Sequence, residues 1–149
     1  MEAVTLAEVN LDADYAQALG LFLWCVAGLE DNVVSSIKLI APESTQQFEK
    51  FTTQNIAEFF KARVSSMTQS QEKQELLSAA DEFLQLVPLR NQIVHGGTAT
   101  HEGKHMVVST HGSPLTLVDI QNAASSFRKC QGRIYPILSG FLKTYKPIA

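Results

Sequence analysis

Apolar residues recur at alternating steps of four and three in the first part of the chain, which is the spacing of one face of an α-helix. The stripe consists of Tyr15, Leu19, Phe22, Val26, Leu29 and Val33. Asp12 and Asp14 fall in the expected first turn, where the helix dipole favours acidic side chains. The pattern predicts one long first helix from Asn10 to Ile40.

Two further helices are predicted between Pro42 and Gly96. The segment from Ser44 to Gln47 has the spacing of a capping box, and it precedes an apolar set made of Phe48, Phe51, Ile56, Phe59, Phe60, Val64 and Met67. The segment from Thr68 to Gln71 repeats the capping pattern. The third helix that follows has on one side Leu76, Ala80, Phe83 and Val87. Pro88 is expected to kink this helix and to remove one of its hydrogen bonds.

The stretch from Gly96 to Pro114 is rich in glycine and predicts a loop or a small hairpin. Thr98-Ala99-Thr100 could pair with the β-prone residues 105–110 around a turn at Glu102-Gly103. Residues 116–119 then resemble a capped helix start. Heptad spacing is kept through the whole last helix by Leu117, Ile120, Ala124, Phe127, Gln131, Ile134, Leu138, Phe141 and Tyr145. The predicted fold class is all-α, a bundle of four to five helices with a short loop or β-hairpin before the last helix.

Composition fits a single domain over residues 1–149, because 45% of the residues are hydrophobic and can form one core. A formal net charge of -3 counts against a protein that coats nucleic acid nonspecifically. The charge is uneven, with six acids and no Lys or Arg before residue 33, and five bases and one acid after residue 115. The acidic first helix and the basic last helix could attract each other within the fold or across a dimer. They could also be two solvated faces, or the basic helix could border an anionic ligand.

The cysteines and the apolar segments predict a cytoplasmic protein with no membrane partner. Cys25 and Cys130 lie in helical patterns and form no spaced cluster, so we expect buried thiols of a reducing compartment. Residues 1–4 lack the basic residues and apolar run of a secretory signal. The most apolar run, from Ala16 to Ala27, is too short to span a membrane and is closed by Glu30-Asp31.

The segment Arg90-Asn91-Gln92-Ile93-Val94-His95 carries the candidate chemistry, near the end of the third helix. An arginine can hold a phosphate, and a histidine can move protons near neutral pH. On an ideal helix, five steps separate Arg90 and His95 by roughly 140°. The two side chains therefore meet only if the chain unwinds towards Gly96-Gly97 or if a second subunit supplies the other half. Glycine favours unwinding because it commonly ends helices in a left-handed cap, and the helix dipole there favours protonated His95.

These residues resemble the HEPN superfamily, whose signature is an arginine, usually a polar residue next, and a histidine after four to six intervening residues. Arg90, Asn91 and His95 match it with four residues between. The position near the end of a penultimate long helix and the four-helix plan extend the resemblance over most of the chain. The chain differs from relatives that carry a tyrosine two residues after the histidine as a modification target, because Gly97 stands there.

The resemblance implies a metal-independent endoribonuclease of a toxin–antitoxin or phage-defence system, without a cofactor. Two motifs face each other across a homodimer, and the ribose 2′-hydroxyl attacks the adjacent phosphorus to leave a cyclic phosphate. His95 would be general base or acid, and Arg90 would bind the phosphate and offset charge in the transition state. Asn91 would orient His95 or contact the phosphate. Some relatives add a carboxylate from an earlier helix, for which Glu30 and Asp31 are the candidates.

Besides the RNA substrate, the implied partners are an antitoxin or a nucleotidyltransferase. Lys104, His105 and Arg128 are predicted to contact RNA. His101, His105 and His111 share one short segment, but their spacing does not match a zinc site, and we interpret them as mostly exposed loop residues. Trp24 is assigned to the core or to an interface rather than to base stacking.

Two alternatives to a nuclease remain open at this level. One is a noncatalytic HEPN-like module that dimerises or binds a nucleotide or a partner protein. The other is a purely structural helical subunit. In that case Arg90 would pair with an acid of the first helix, and Asn91 and His95 would cap the end of their own helix.

Overall fold

The computed structural model of the protein describes residues 3–5, 11–43 and 48–147. The helices of these residues are α1 (Ala13–Ile40), α2 (Thr53–Ser65), α3 (Gln71–Val94) and α4 (Leu117–Ser139). An antiparallel hairpin connects α3 to α4, with strands β1 (Gly97–His101) and β2 (Lys104–Val108). Short 3-10 turns occupy Phe48–Lys50 and Phe141–Lys143. The predicted helical fold with a hairpin before the last long helix is confirmed.

Helices α1 and α4 form the most extensive helix contact and run in the same direction. The Tyr15 hydroxyl donates to the carbonyl of Leu115, just before α4, at 2.8 Å. About two turns further along α1 and about three along α4, the ring of Phe22 packs edge-on against that of Phe127, with centroids 5.6 Å apart. Both helices therefore begin at the end of the bundle where the hairpin lies.

Helix α3 packs against α4 and α2, whereas α1 packs against α4 and α2 on the other side. The Cys130 thiol donates to the carbonyl of Ala79 at 3.5 Å, which fixes α3 against one face of α4. Lys61 forms an ion pair with Asp81 at 2.7 Å between α2 and α3. All four helices contribute to one core, whose largest fully buried side chains include Phe22, Phe60, Phe83 and Phe127.

The first two helices begin later than the apolar pattern predicts. Helix α1 starts at Ala13, with Asp12 at the N-cap position, and the predicted start at Asn10 lies outside the described residues. The predicted capping segment from Ser44 to Gln47 also lies outside them. The start of α2 is set by Thr52, whose hydroxyl accepts from the amide of Asn55 at 3.1 Å.

Phe48 and Phe51, assigned from the sequence to the second helix, lie before it in and beside a 3-10 turn. Their rings pack edge-on against each other and against Phe59, with centroids 5.3–5.9 Å apart. A tight aromatic cluster thus replaces the first turns of the expected helix. Met67 is buried beyond the other end of α2.

Helix α3 begins within the predicted capping segment, where the Ser70 hydroxyl accepts from the amide of Lys73 at 3.0 Å. The helix passes through Pro88 and continues to Val94. Pro88 has no backbone N–H to donate, yet it does not end the helix.

Helix α4 begins as predicted, with a capping box. The Asp119 carboxylate accepts from the amide of Thr116 at 2.8 Å, and the Thr116 hydroxyl accepts from the amide of Asp119 at 3.1 Å. It ends at Ser139 rather than continuing to Tyr145. Gly140, which costs a helix interior about 1 kcal/mol relative to alanine, leaves the helical conformation. The apolar spacing continues through the 3-10 turn and beyond it, where Phe141 packs against Tyr145.

The hairpin pairs Gly97 with Val108 at its base and His101 with Lys104 beside its turn. Glu102 and Gly103 have φ of 52° and 81°, the left-handed pair that a two-residue hairpin turn requires. The turn predicted at these two residues is therefore confirmed.

Three expectations about α1 and the cysteines can be compared with the structure. Cys25 and Cys130 are buried and free, as predicted. Trp24 is 77% exposed, so its assignment to the core is wrong, while an interface role stays a prediction. The full helix α1 is longer than the apolar run counted from the sequence, and by length and composition alone it could cross a membrane. Its inward side chains, such as Leu29 and Val33, form part of the bundle core.

Candidate functional site

Arg90 continues the buried face of α3. It follows Phe83 by seven positions and Val87 by three, and both of these side chains are buried. The stem of Arg90 is accordingly half-buried, and its Nε atom is fully buried without a hydrogen-bond partner in the described part of the chain. The charged guanidinium of Arg90 is therefore held at the end of the core, and only its tip faces outwards.

The tip of Arg90 contacts the other two residues of the motif. Its Nη1 donates to Asn91 Oδ1 at 3.1 Å and lies 3.3 Å from His95 Nε2. A guanidinium has only donors, so His95 Nε2 must act as the acceptor in this contact. In the tautomer that makes this hydrogen bond, the ring proton is on Nδ1. One chain brings Arg90, Asn91 and His95 together.

The end of α3 explains how two residues on different faces of an ideal helix can meet. His95 is the C-cap, with φ -101° and ψ 0°, while its amide still donates to the carbonyl of Asn91 at 2.9 Å. This departure from helical dihedrals at one residue allows the imidazole to reach Arg90. Of the two routes that the sequence left open, unwinding at the helix end is sufficient for this contact.

The two glycines after His95 do not form the expected left-handed cap. Among the described glycines, only Gly103 and Gly112 have positive φ. Gly96 is needed for a different reason: a Cβ there would lie 2.1 Å from the Val108 carbonyl oxygen and 2.5 Å from that of Gln92. The close passage of β2 behind the helix end thus requires glycine at this position, because any side chain would collide with backbone.

Arg90 has no carboxylate partner within residues 11–43 and 48–147. The ion pairs found there join Lys61 to Asp81, Lys104 to Asp12, and Arg133 to Glu82. The alternative in which Arg90 pairs with an acid of the first helix is therefore not what these residues show. The guanidinium tip instead contacts Asn91 and His95.

Lys104 and His105 lie near the turn of the hairpin, away from the motif. They pair with His101 and Thr100, three to four register steps from Gly97, which is roughly 10–14 Å along a strand. Lys104 Nζ contacts Asp12 Oδ2 at 2.7 Å, and this hydrogen bond raises the pKa of Lys104.

The surroundings of these hairpin residues are acidic rather than basic. His105 borders a recess together with Asp12, Asp14 and Glu102. His111 is exposed near Gly112, and nothing is described of the side chain of His101. The predicted contacts of Lys104 and His105 with RNA thus lack a continuous basic surface around them.

Arg128 lies on α4, in a groove between α4 and α1. Glu30 and Asp31, the candidates for an added carboxylate, border a shallow recess beside the start of α2. Glu30 accepts a hydrogen bond of 2.6 Å from the Thr53 hydroxyl. None of these three side chains contacts Arg90 or His95 in the described structure.

Tyr15 has a role that sequence periodicity did not indicate. Its hydroxyl accepts from the amide of Val107 at 3.0 Å and donates to the carbonyl of Leu115 at 2.8 Å. Burial raises the pKa of Tyr15, against the opposing effect of the hydrogen bond from Val107. The phenol joins α1 to the hairpin and to the start of α4, and thereby steadies the hairpin that follows the motif.

No group of three or more His, Cys, Asp or Glu side chains that could hold a metal ion occurs among the described residues. No family model, curated protein or solved structure matches the chain.

Proposed function

We propose that the protein is a metal-independent endoribonuclease of the HEPN type, acting as a toxin or phage-defence effector in the cytoplasm. The observation that carries the proposal is the contact between the Arg90 guanidinium and His95 Nε2 at 3.3 Å. It joins a cation without a carboxylate partner to a neutral imidazole at the open end of a helical bundle. The motif spacing and the helical fold agree with this assignment.

In the proposed reaction, His95 is well suited to begin as general base. Its neutral Nε2 takes the proton of a ribose 2′-hydroxyl, whose oxygen then attacks the adjacent phosphorus. The bond from phosphorus to the 5′-oxygen breaks, that oxygen takes up a proton, and a 2′,3′-cyclic phosphate remains. The donors of Arg90 bind the nonbridging oxygens, where negative charge grows in the transition state.

Binding of RNA must first release His95 from Arg90. A phosphate is a stronger acceptor for a guanidinium than a neutral imidazole is, because both partners are then charged. A phosphate oxygen therefore replaces His95 Nε2 as an acceptor for the guanidinium, which frees the Nε2 lone pair for the 2′-hydroxyl. Asn91 keeps the guanidinium in place through its hydrogen bond to Nη1.

The leaving 5′-oxygen needs an acid, and the motif of one chain offers a single imidazole. A homodimer in which two motifs face one cleft supplies a second His95 for that step. The composite site is thus a part of the proposal, and an antitoxin or nucleotidyltransferase partner would act by covering this cleft.

The experiment is incubation of the purified protein with RNA in EDTA, beside Arg90→Ala and His95→Ala. His111→Ala is the matched control, since it removes another exposed histidine that lies outside the motif. We expect cleavage by wild type and the control, with cyclic-phosphate ends, and none by the two motif variants. Equal cleavage by all four proteins would show that the activity is a contaminant and would overturn the proposal.

The second candidate is a noncatalytic module that binds a nucleotide or a partner protein. It is favoured by the acidic surroundings of Lys104 and His105, which offer little to a long RNA backbone. Retained binding of nucleotides or RNA through Arg90, with no cyclic-phosphate product on varied RNAs, would favour this function over the nuclease.

A further inference from the structure

A groove of about 830 Å³ runs between the parallel helices α1 and α4. Its rim carries three large apolar side chains that the fold leaves exposed: Leu21 at 57%, Trp24 at 77% and Tyr135 at 57%. Its volume lies in the range of small-molecule sites, about 300–1,000 Å³. A contiguous apolar patch of this kind commonly marks a binding surface.

Two of the polar side chains that line this groove, Gln131 and Arg128, lie beside glycines. The amide of Gln131 lies over Gly28, where a Cβ would come within 3.0 Å of Nε2. The Arg128 guanidinium lies beside Gly132, with Nη1 3.6 Å from the position of a Cβ. Both belong to the groove lining, so planar donors stand next to aromatic side chains.

Neither donor is satisfied by the fold. No ion pair or hydrogen bond involves the Arg128 guanidinium or the Gln131 amide in the part of the chain that the structure describes. Gln131 is also the one polar residue in the heptad stripe of α4. Gln131 is half-buried, so its amide is accessible to a ligand that enters the groove.

The groove lies away from the proposed nuclease motif. On α4, Cys130 faces α3 through its contact with Ala79. Arg128 and Gly132 are each two positions from Cys130, which places them roughly 160–200° around the helix. A dimer that brings two Arg90–His95 motifs into one cleft therefore uses another face and leaves this groove open.

We propose that the groove binds a small organic anion with a flat apolar body. Its carboxylate or phosphate is held by Arg128 and Gln131, and its ring lies against Trp24 and Tyr135. Charge complementarity favours this occupant, because Arg128 is the sole charged residue among the described residues that line the groove. Aromatic rims and a guanidinium together select a ligand that is planar and negative.

Charge also argues against a second copy as the occupant. The uncharged part of α1 lies between Asp14 and Glu30, and the groove is centred on its middle. Two copies related by a two-fold axis perpendicular to α1 would pack their α1 helices antiparallel. Asp14 of each copy would then approach Glu30 of the other, and like charges repel.

The test is calorimetric titration of the whole chain with 2-naphthoate, 2-naphthyl phosphate and the neutral 2-naphthamide. We expect one site per chain and a preference of about tenfold or more for an anion over the amide. Comparison of the two anions shows whether the site takes a carboxylate or a phosphate. Arg128→Gln should remove the preference for anions.

Lys129→Gln is the matched control, since it removes the same charge from the next position of the same helix and should keep the preference. Trp24→Ala should weaken the binding of all three compounds. Absence of binding, equal affinity for 2-naphthamide, or a preference unchanged in Arg128→Gln would each overturn the proposal. So would sedimentation showing a dimer that Trp24→Ala dissociates, because a second copy would then cover the groove. No RNA enters this test, so its outcome is independent of the nuclease assay.

Discussion

Arg90 and His95 are in contact within one chain, with Nη1 and Nε2 3.3 Å apart at the end of α3. The arginine comes from the buried face of the helix and the histidine from its C-cap. A positive charge held in this way cannot move far, because its stem is packed in the core while its donors stay at the surface. Phosphate recognition would therefore begin from a preformed geometry.

Arg90→Lys is expected to lower RNA cleavage at least tenfold although the charge is kept. A lysine presents a point charge and cannot engage two phosphate oxygens with a planar fork. Single-turnover cleavage measures the effect, with Lys129→Arg as the control that makes the reverse exchange elsewhere. Cleavage by Arg90→Lys equal to that of wild type would mean that only the charge matters.

Gly96→Ala is expected to destabilise the fold by about 2–4 kcal/mol, within the range that steric overpacking produces. Its Cβ would lie 2.1 Å from the Val108 carbonyl oxygen, and that atom belongs to backbone that cannot move without β2. Gly97→Ala is the matched control, since nothing lies within 4 Å of a Cβ there. Urea denaturation followed by circular dichroism compares the two variants, and similar midpoints would contradict the close approach.

Tyr15→Phe should cost about 1–3 kcal/mol, since the buried amide of Val107 and the carbonyl of Leu115 each lose their partner. Tyr135→Phe, which changes an exposed ring, should cost little. Chemical denaturation at pH 7 measures both variants, and equal losses would show that the Tyr15 hydroxyl carries no special stabilisation.

Alkaline pH should act on the same two hydrogen bonds of the Tyr15 hydroxyl. Burial raises the pKa of Tyr15, so the folded state favours the neutral phenol. This contribution is complete below the unfolded pKa of tyrosine, about 10, and is lost as the pH rises through the folded value. The stability difference between wild type and Tyr15→Phe should therefore be constant from pH 7 to 9 and shrink above pH 10. A stability difference that grew with pH would contradict the assigned direction of the Tyr15 pKa shift.

Cys130 should resist alkylation in the folded protein. Burial raises its pKa to about 12, so the reactive thiolate is scarce at pH 8 and only appears as the pH approaches that value. The Cys25→Ser variant leaves Cys130 as the one thiol. Mass spectrometry after iodoacetamide treatment of this variant measures the alkylation of Cys130. Modification of native and urea-unfolded protein at equal rates would show that the Cys130 thiol is accessible in the folded protein.

Sequence periodicity was enough to place the interiors of the long helices, because burial on one face dictates it. The hairpin was placed by its glycines and its β-prone residues. Periodicity was less informative at the ends of the helices. The phenylalanines at 48 and 51 fit the spacing of a helix, but they pack on Phe59 from a 3-10 turn. The apolar spacing likewise continues beyond Gly140, where the helix has already ended.

The candidate site was predictable in its residues but not in its geometry. Motif spacing identified Arg90 and His95, whereas their contact depends on the backbone dihedrals of one residue at the C-cap. The requirement for Gly96 comes from a strand twelve residues away, which no local pattern reveals. Trp24 was assigned to the core or to an interface, but it is not a member of the apolar stripe of α1, and its position on the helix leaves it exposed.

The pairing of α1 with α4 has a consequence for synthesis of the chain. Tyr15 and its partner Leu115 are 100 residues apart, a separation that a ribosome covers in roughly 5–20 s at about 5–20 residues per second. The most apolar helix is thus made first and receives its main cover last. During that interval the nascent chain presents the inward face of α1 to the cell, so a chaperone that holds this face would protect the protein until α4 emerges.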